Sequence, residues 1–434
     1  DDLATGEITV ANKYDFTNLS EFELRWDLLE NGTPIKSGVL EGLDVAPESE
    51  GQIRLGYRMP RQKAGAEYHL DLRLVSPVAR GILPAEHIYA EAQFEIPNDA
   101  VATPAKRSAG GSLEVNESER AITITGKQFS VGIDRETGLL SSLTFEGEEM
   151  ILRPLTPNFW RAPTDNDFGN YMQDWAQVWE QAGRNRKLDS IRVIEKRADR
   201  VEIEAAYAFY DDDGGAAAEW TSRFTVWASG DVDIKNRFEK GANLPIVPRI
   251  GMNVELPKRL DQTEWFGRGP FENYSDRKLA AKVGRYQSPV SDHYVPYVRP
   301  QENGYKTDVR WLSLTGGGDT GLLVRADGLI GFSVHNNRQA DFIPPAKIAI
   351  TSEDGPDARK NKRRVNVHVD DIVPGDFLSL NIDLGQMGVG GDDSWGKKTL
   401  MQYSLGEKTY QYGFRLRPFT AGKGRLDELL GAMK

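Results

Sequence analysis

A chain of 434 residues with 54 Lys and Arg against 65 Asp and Glu carries a net charge of −11. That balance argues against nucleic acid, whose partners carry a basic stripe, and no apolar run approaches the roughly 18 residues of a membrane helix. With no cysteine in the chain, disulfides, thiolate catalysis and cysteine zinc sites are excluded, while the compartment, cytoplasmic or periplasmic, stays open. The length suggests two domains. Asp1–Gly6 has neither the basic nor the apolar segment of a signal peptide and reads as the middle of a longer chain.

Period-two alternation begins at once. Phe22, Leu24, Trp26 and Leu28 alternate with Glu23, Arg25 and Asp27, the pattern of a half-buried strand. Asn31-Gly32 follows as a hairpin signal. The same alternation recurs at Tyr68–Leu74 and Ile88–Ile96, so residues 1–98 are expected to form an immunoglobulin-like sandwich with Trp26 in its core. Residues 99–112 are small and polar, as in a linker. From 113 to 434 strands follow one another almost without interruption, with turns at Asp134–Gly138 and Asp211–Gly215. Two helices are predicted. Asn170–Gly183 carries Trp175, Val178, Trp179 and Ala182 on one face, with Asn170 as N-cap and Gly183 as stop. Arg425–Met433 would form a short tail helix. The expected class is all-β, a sandwich followed by a second, larger antiparallel sandwich.

Three stretches mix aromatics with charged and amide side chains: Asn158–Asp167, Trp265–Arg277 and Tyr294–Gly304. Such mixtures line carbohydrate sites, but the abundance of Pro and Gly favours ordered structural loops. Asp165 with Asp167, and Glu272 with Asp276, are the candidate acid and base pairs of a glycosidase. The five histidines are scattered, with no i, i+4 pair, so no histidine metal site is indicated.

The stretch Gly385–Gly396 holds glycines at 385, 388, 390 and 391 and ends in Asp392-Asp393-Ser394-Trp395. It is not a dinucleotide fingerprint, because Asp393 occupies the place of the third glycine and no helix pattern follows. Trp395 has no apolar company, which points to an exposed indole able to stack on the apolar face of a sugar. The loop is expected to be exposed and mobile in this chain by itself.

Together these pieces, Asn158-Phe-Trp-Arg-Ala-Pro-Thr-Asp-Asn-Asp167, Gly267-Arg-Gly-Pro-Phe-Glu-Asn-Tyr274, Pro296–Gly304 and Met387–Trp395, closely resemble the C-terminal third of the bacterial β-galactosidases of glycoside hydrolase family 2. The resemblance implies an immunoglobulin-like domain at 1–98 and a galactose-mutarotase-like supersandwich at 113–434. It also implies that the chemistry, double displacement between two glutamates roughly 5–5.5 Å apart, belongs to a (β/α)₈ barrel. No such β/α alternation occurs here, so the Mg and Na ions of that barrel have no place in this chain. What the family's last domain adds is the loop tryptophan, here Trp395, as a substrate platform. Asp392, Asp393, Arg161 and Asp165 are further candidate contributors. The expected partners are a β-galactoside, the rest of the parent chain and further copies of it. A stand-alone carbohydrate-binding module is the alternative, and an aldose epimerase a more distant one. Thr420–Lys434 runs past the family pattern.

Overall fold

The computed structural model describes residues 2–100, 111–343, 368–393, 396–422 and 425–432. It divides into two compact units, Asp1–Lys106 with Lys282–Arg285 and Glu428–Lys434, and Arg107–Ala281 with Tyr286–Asp427.

In the first unit the alternating stretches form a four-stranded antiparallel sheet in the order Thr33–Leu40, Glu23–Glu30, Tyr68–Val75, Ile88–Ile96. Asn31 and Gly32 turn the first hairpin at φ 50° and 76°, the conformation that makes Asn-Gly a hairpin turn. A second sheet of two strands, Glu7–Asn12 and Ser49–Arg54, faces it. Trp26 is core, its ring 5.3 Å from that of Tyr57 and tilted to it by 50°. Its cross-strand neighbour is Gly38, where a Cβ would come within 2.4 Å of the indole.

The second unit is one extended antiparallel ladder. Arg186–Lys196, Arg200–Tyr210, Ala216–Trp227, Val232–Lys240 and Thr409–Thr420 pair in succession. The 16-residue strand Thr320–His335 then serves two neighbourhoods. Its first half pairs Thr409–Thr420 and its second half pairs Phe377–Gln386. From there the ladder continues through Arg249–Pro257 and Arg153–Asn158. Inward residues such as Val201, Ile203, Phe224, Ile234, Phe332 and Leu380 form one apolar core. The fold is the expected all-β supersandwich class.

Two expectations on local structure fail. The single helix over Asn170–Gly183 is three short pieces, α1 (Asp165–Gly169), α2 (Met172–Trp175) and α3 (Gln177–Arg184). The start lies earlier because Thr164 and Asp167 make a reciprocal capping box, a stronger signal than Asn170. Asn170 ends α1, and Tyr171 breaks the run in the left-handed region at φ 62°. Gly183 lies inside α3, whose C-cap is Asn185. The apolar face survives the break, with Trp179 and Ala182 fully buried. Gln262–Gly269, read as part of a loop, is a strand paired with Lys306–Thr315. Near the C-terminus a further helix, α4 (Arg425–Ala432), forms where the tail helix was expected.

Candidate functional site

The three mixed stretches converge, in the second unit, on the glycine loop. Arg161 follows the strand Arg153–Asn158 and turns inward with no exposed surface. Its Nε and Nη2 donate to the two oxygens of Asp167 at 3.0 and 2.9 Å, a bidentate pair of the strong, geometrically specific kind. Its remaining N–H groups donate to the carbonyls of Met387 and Gly388 at 2.6 and 3.0 Å. One guanidinium thus ties the start of α1 to the start of the loop.

Four further side chains hold the loop's backbone. The Asp276 carboxylate accepts the Val389 and Gly390 N–H groups at 2.9 and 2.8 Å. The Asn166 amide donates to the carbonyls of Val389 and Lys397, each at 2.9 Å, and its oxygen accepts the Gly396 N–H at 2.6 Å. Arg277 donates to the Gly390 carbonyl and Thr399 to that of Gly388, both at 2.7 Å. Gln386–Gly390 are accordingly buried, and Gly390, Gly391 and Gly396 take φ of 63°, 85° and 79°, values that suit glycine. Gly388 is needed for another reason: a Cβ there would lie 2.4 Å from the Asp276 carboxyl carbon. Gly388→Ala is therefore expected to push the carboxylate off both amides. The cost is about 2–3 kcal/mol: hydrogen bonds to charged groups contribute about 1.5–3 kcal/mol each, and the partly exposed carboxylate recovers part of the two from water. A lowered urea midpoint and faster amide exchange at Val389 and Gly390 would show it. Exchange unchanged at both would refute the anchoring role of Asp276.

Beneath the loop lies a buried ionic cluster that no motif announced. Arg249 donates to Glu302 at 2.7 Å, and its Nε sits 3.1 Å from Asp383. Gln386 donates to the same Glu302 oxygen at 3.1 Å. Burial and the neighbouring Glu302 push the Asp383 carboxyl up to about 7, against the pull of Arg249. The sequence signal was weak: an Arg, a Glu and an Asp 53 or more residues apart, each within a different stretch.

His293 and His335, which sequence reading left scattered, are both buried here. His335 Nε2 is 3.0 Å from the Asn303 carbonyl, and His293 Nε2 is 2.8 Å from Thr263 Oγ1. Burial pushes His335 down to about 4 and His293 well below its ordinary value. A folded-state value below the unfolded one means stability is complete above the unfolded value, near 6.5, and is lost as pH falls through the folded one. Asp383, shifted upward, acts oppositely and loses stability as pH rises from about 4 to 7. His335→Asn is therefore expected to flatten the acid side of the stability curve between pH 6.5 and 4, and Asp383→Asn to steepen it. Urea midpoints at a series of pH values would read both slopes; parallel curves for all three proteins would contradict the assignment.

A family model described as "Beta galactosidase small chain" matches residues 125–416, and another, "Beta-galactosidase, domain 4", matches residues 8–97. The chain belongs to the β-galactosidase small-chain family. Relatives agree: the β-galactosidase of Priestia megaterium is 31% identical over 421 residues, covering 96% of this chain and 38% of the relative. That of Alteromonas mediterranea is 30% identical over 429 residues, with coverage of 94% and 38%. The chain thus spans about 38% of the length of these relatives. Among solved structures, a galactose 1-epimerase from Lactobacillus acidophilus aligns with 72% of this chain and all of its own at 8% identity and a TM-score of 0.40, too loose a likeness to bear on chemistry.

Within this β-galactosidase-family chain the candidate residues fall into different roles. Trp395 and Ser394 lie outside the described residues, as do residues 365–367 of the strand that the sequence predicts at 365–369, whose last residue, Val369, instead begins a 3-10 turn, Val369–Asp371. Asp392 and Asp393 are exposed at the loop's outer end. Asp165 is exposed at the start of α1. Its backbone N–H donates to Gln301 at 3.0 Å, and its carboxylate is 3.6 Å from Arg299. Arg161 is not at a surface; it supports the loop from below, because both its charge partner and its carbonyl acceptors are interior. Asp167 and Asp276 have their oxygens committed to Arg161 and to loop amides. Glu272 accepts from Tyr297 and from the Gly304 N–H. The backbone of the loop's described part is held by hydrogen bonds from Asn166 on α1 and from Asp276 and Arg277 in the segment after Gln262–Gly269.

Proposed function

We propose that residues 1–434 form the C-terminal, non-catalytic part of a retaining β-galactosidase and contribute the Trp395 indole as a platform for the sugar. The observation that carries this reading is the anchoring on both sides of Trp395. Asp276 and Asn166 hold Val389 and Gly390 before it, and Asn166 holds Gly396 and Lys397 after it. A site that must present one residue needs such support from rigid elements. The acids gathered around the loop do not make a glycosidase pair, which requires two carboxylates facing a shared space; those of Asp167, Glu272 and Asp276 are spent on structural bonds. On this reading the catalytic carboxylates, and the Mg and Na ions that the family resemblance implies, belong to polypeptide outside residues 1–434. Among the described residues no three His, Asp or Glu side chains gather as a cation would need. The partners are a β-galactoside, the remainder of the parent chain and further copies of it.

In the full-length parent, Trp395→Ala is expected to raise KM for a β-galactoside about tenfold, the equivalent of about 1.4 kcal/mol. The isolated 434-residue chain is expected to hydrolyse no nitrophenyl β-galactoside. Turnover by the pure chain would overturn the non-catalytic assignment, and an unchanged KM would overturn the platform. Calorimetry of the isolated chain with galactose and lactose separates the stand-alone binding reading, for which micromolar affinity would be required.

A further inference from the structure

Two buried ion groups lie beneath the loop in the second unit, Arg161 with Asp167, and Arg249 with Glu302 and Asp383. Between them stands Gln386, the last residue of the strand Phe377–Gln386 and itself buried. Strand pairing puts it there, because the register with Arg249–Pro257 sets Gln386 directly opposite Arg249. Its Oε1 accepts from Arg161 Nη1 at 3.3 Å, and its Nε2 donates to Glu302 Oε1 at 3.1 Å. The amide can face only one way. Turned over, it would set an N–H against a guanidinium and a carbonyl against a carboxylate. No other uncharged side chain of this length carries both a donor and an acceptor at its fork.

Neither ion group needs Gln386 in order to be satisfied. Without it Arg161 Nη1 keeps the Met387 carbonyl at 2.6 Å, and Glu302 keeps Arg249 at 2.7 Å. What Gln386 adds is a connection. On the Arg161 side it reaches the loop, since the peptide between Gly388 and Val389 has its carbonyl held by Arg161 Nη2 at 3.0 Å and its N–H held by Asp276 at 2.9 Å. On the other side it reaches Arg249. That guanidinium meets Glu302, Asp383, Gln339 and the Trp160 carbonyl, but none of the described residues of the loop after Gln386.

We propose that Gln386 is a positioning residue. Its amide couples the Arg249 group to Arg161, so that the placement of the Gly388–Val389 peptide, and with it the presentation of Trp395, depends on a guanidinium that does not touch the loop. The physical basis is a chain of oriented hydrogen bonds, each polarising and aiming the next. A competing route runs through the main chain on either side of Arg161. Arg249 Nη1 donates to the Trp160 carbonyl at 3.4 Å, and the Glu302 N–H donates to that of Ala162 at 3.2 Å. The first of these is long for a hydrogen bond, and the second is made by backbone, which a change in the Arg249 side chain leaves in place. The reach of Gln386 to the sugar rests on the platform reading of Trp395, whereas the coupling within the chain does not.

The coupling is read in the 434-residue chain from amide exchange at Val389, with Ile203 in the core ladder as a control that exchanges only when the whole unit opens. Arg249→Lys is expected to speed exchange at Val389 about fivefold beyond any change at Ile203, within the range of couplings inside one hydrogen-bond network. Gln386→Met, which keeps the volume, is expected to do the same, and the double variant no more than either alone. An unchanged Val389 in Gln386→Met would overturn the proposal. So would an Arg249→Lys effect that persists in full on the Gln386→Met background, which would assign the coupling to the main chain. In the full-length parent, Gln386→Met is expected to raise KM for a β-galactoside about threefold with kcat unchanged, and to have no further effect in the Trp395→Ala background. If Trp395→Ala leaves KM unchanged, the platform reading falls and the exchange pattern alone decides the role of Gln386. If Trp395→Ala raises KM and Gln386→Met does not, the positioning role falls.

Discussion

Arg161→Met is expected to destabilise the second unit by about 3–5 kcal/mol, the range for breaking a buried ion pair by removing one partner. The methionine fills much of the same volume, so the cost is electrostatic. The Asp167 carboxylate would lose both guanidinium donors and keep the Thr164 N–H, and the carbonyls of Met387 and Gly388 would each lose a charged donor. Urea unfolding followed by tryptophan fluorescence reports chiefly this unit, which holds every tryptophan except Trp26. The double variant Arg161→Met with Asp167→Asn should recover part of the loss, because the stranded charge is gone. A single-variant effect below about 1 kcal/mol, the scale of an exposed pair, would mean that the pair is not held in a dry interior. On the proposed platform role of Trp395, the same variant in the full-length parent should raise KM alongside Trp395→Ala, since it releases the foot of the loop.

The second large effect is expected at Arg249. Its guanidinium is the charge partner of both Glu302 and Asp383, and all three side chains are buried. Arg249→Met would leave two acids within one desolvated pocket, and at least one would take up a proton at neutral pH. The loss should match or exceed that of Arg161→Met, again at about 3–5 kcal/mol, and should shrink as the pH is lowered and the acids are neutralised. Arg249→Lys keeps the charge but not the planar fork, so it should fall between wild type and Arg249→Met. Equal midpoints for the Lys and Met variants would place the contribution of Arg249 in packing instead of charge.

How far the sequence could be read depended on burial. Strands with one wet face, such as Glu23–Glu30 and Arg200–Tyr210, alternate cleanly and were legible with their turns. Gln262–Gly269 was not, because Trp265, Phe266 and Gly267 are consecutive and all buried, which erases the period-two signal. The helix over 170–183 failed at its ends: periodicity located the apolar face of Trp179 and Ala182, but not the left-handed Tyr171 that divides it. In the site, the motifs named the right stretches without their partners. Asp276 meets the loop across 113 residues and Asn166 across 230. Local pattern carries no information about bonds of that span, so anchors and candidate ligands looked alike.

The position of Asn166 bears on how this protein ages. Asparagine is a thermolabile residue: the next backbone nitrogen attacks the side-chain carbonyl and expels ammonia, and water then opens the cyclic imide to a carboxylate. Here that conversion would replace an amide donor by a carboxylate facing the carbonyls of Val389 and Lys397, so a single spontaneous event would turn two attractive contacts repulsive. The nitrogen that would attack belongs to Asp167, and its N–H is already engaged by Thr164 Oγ1 at 3.1 Å within the capping box. The bond that starts α1 also withholds the reagent of decay, and the shelf life of the loop is tied to a threonine hydroxyl that never touches it.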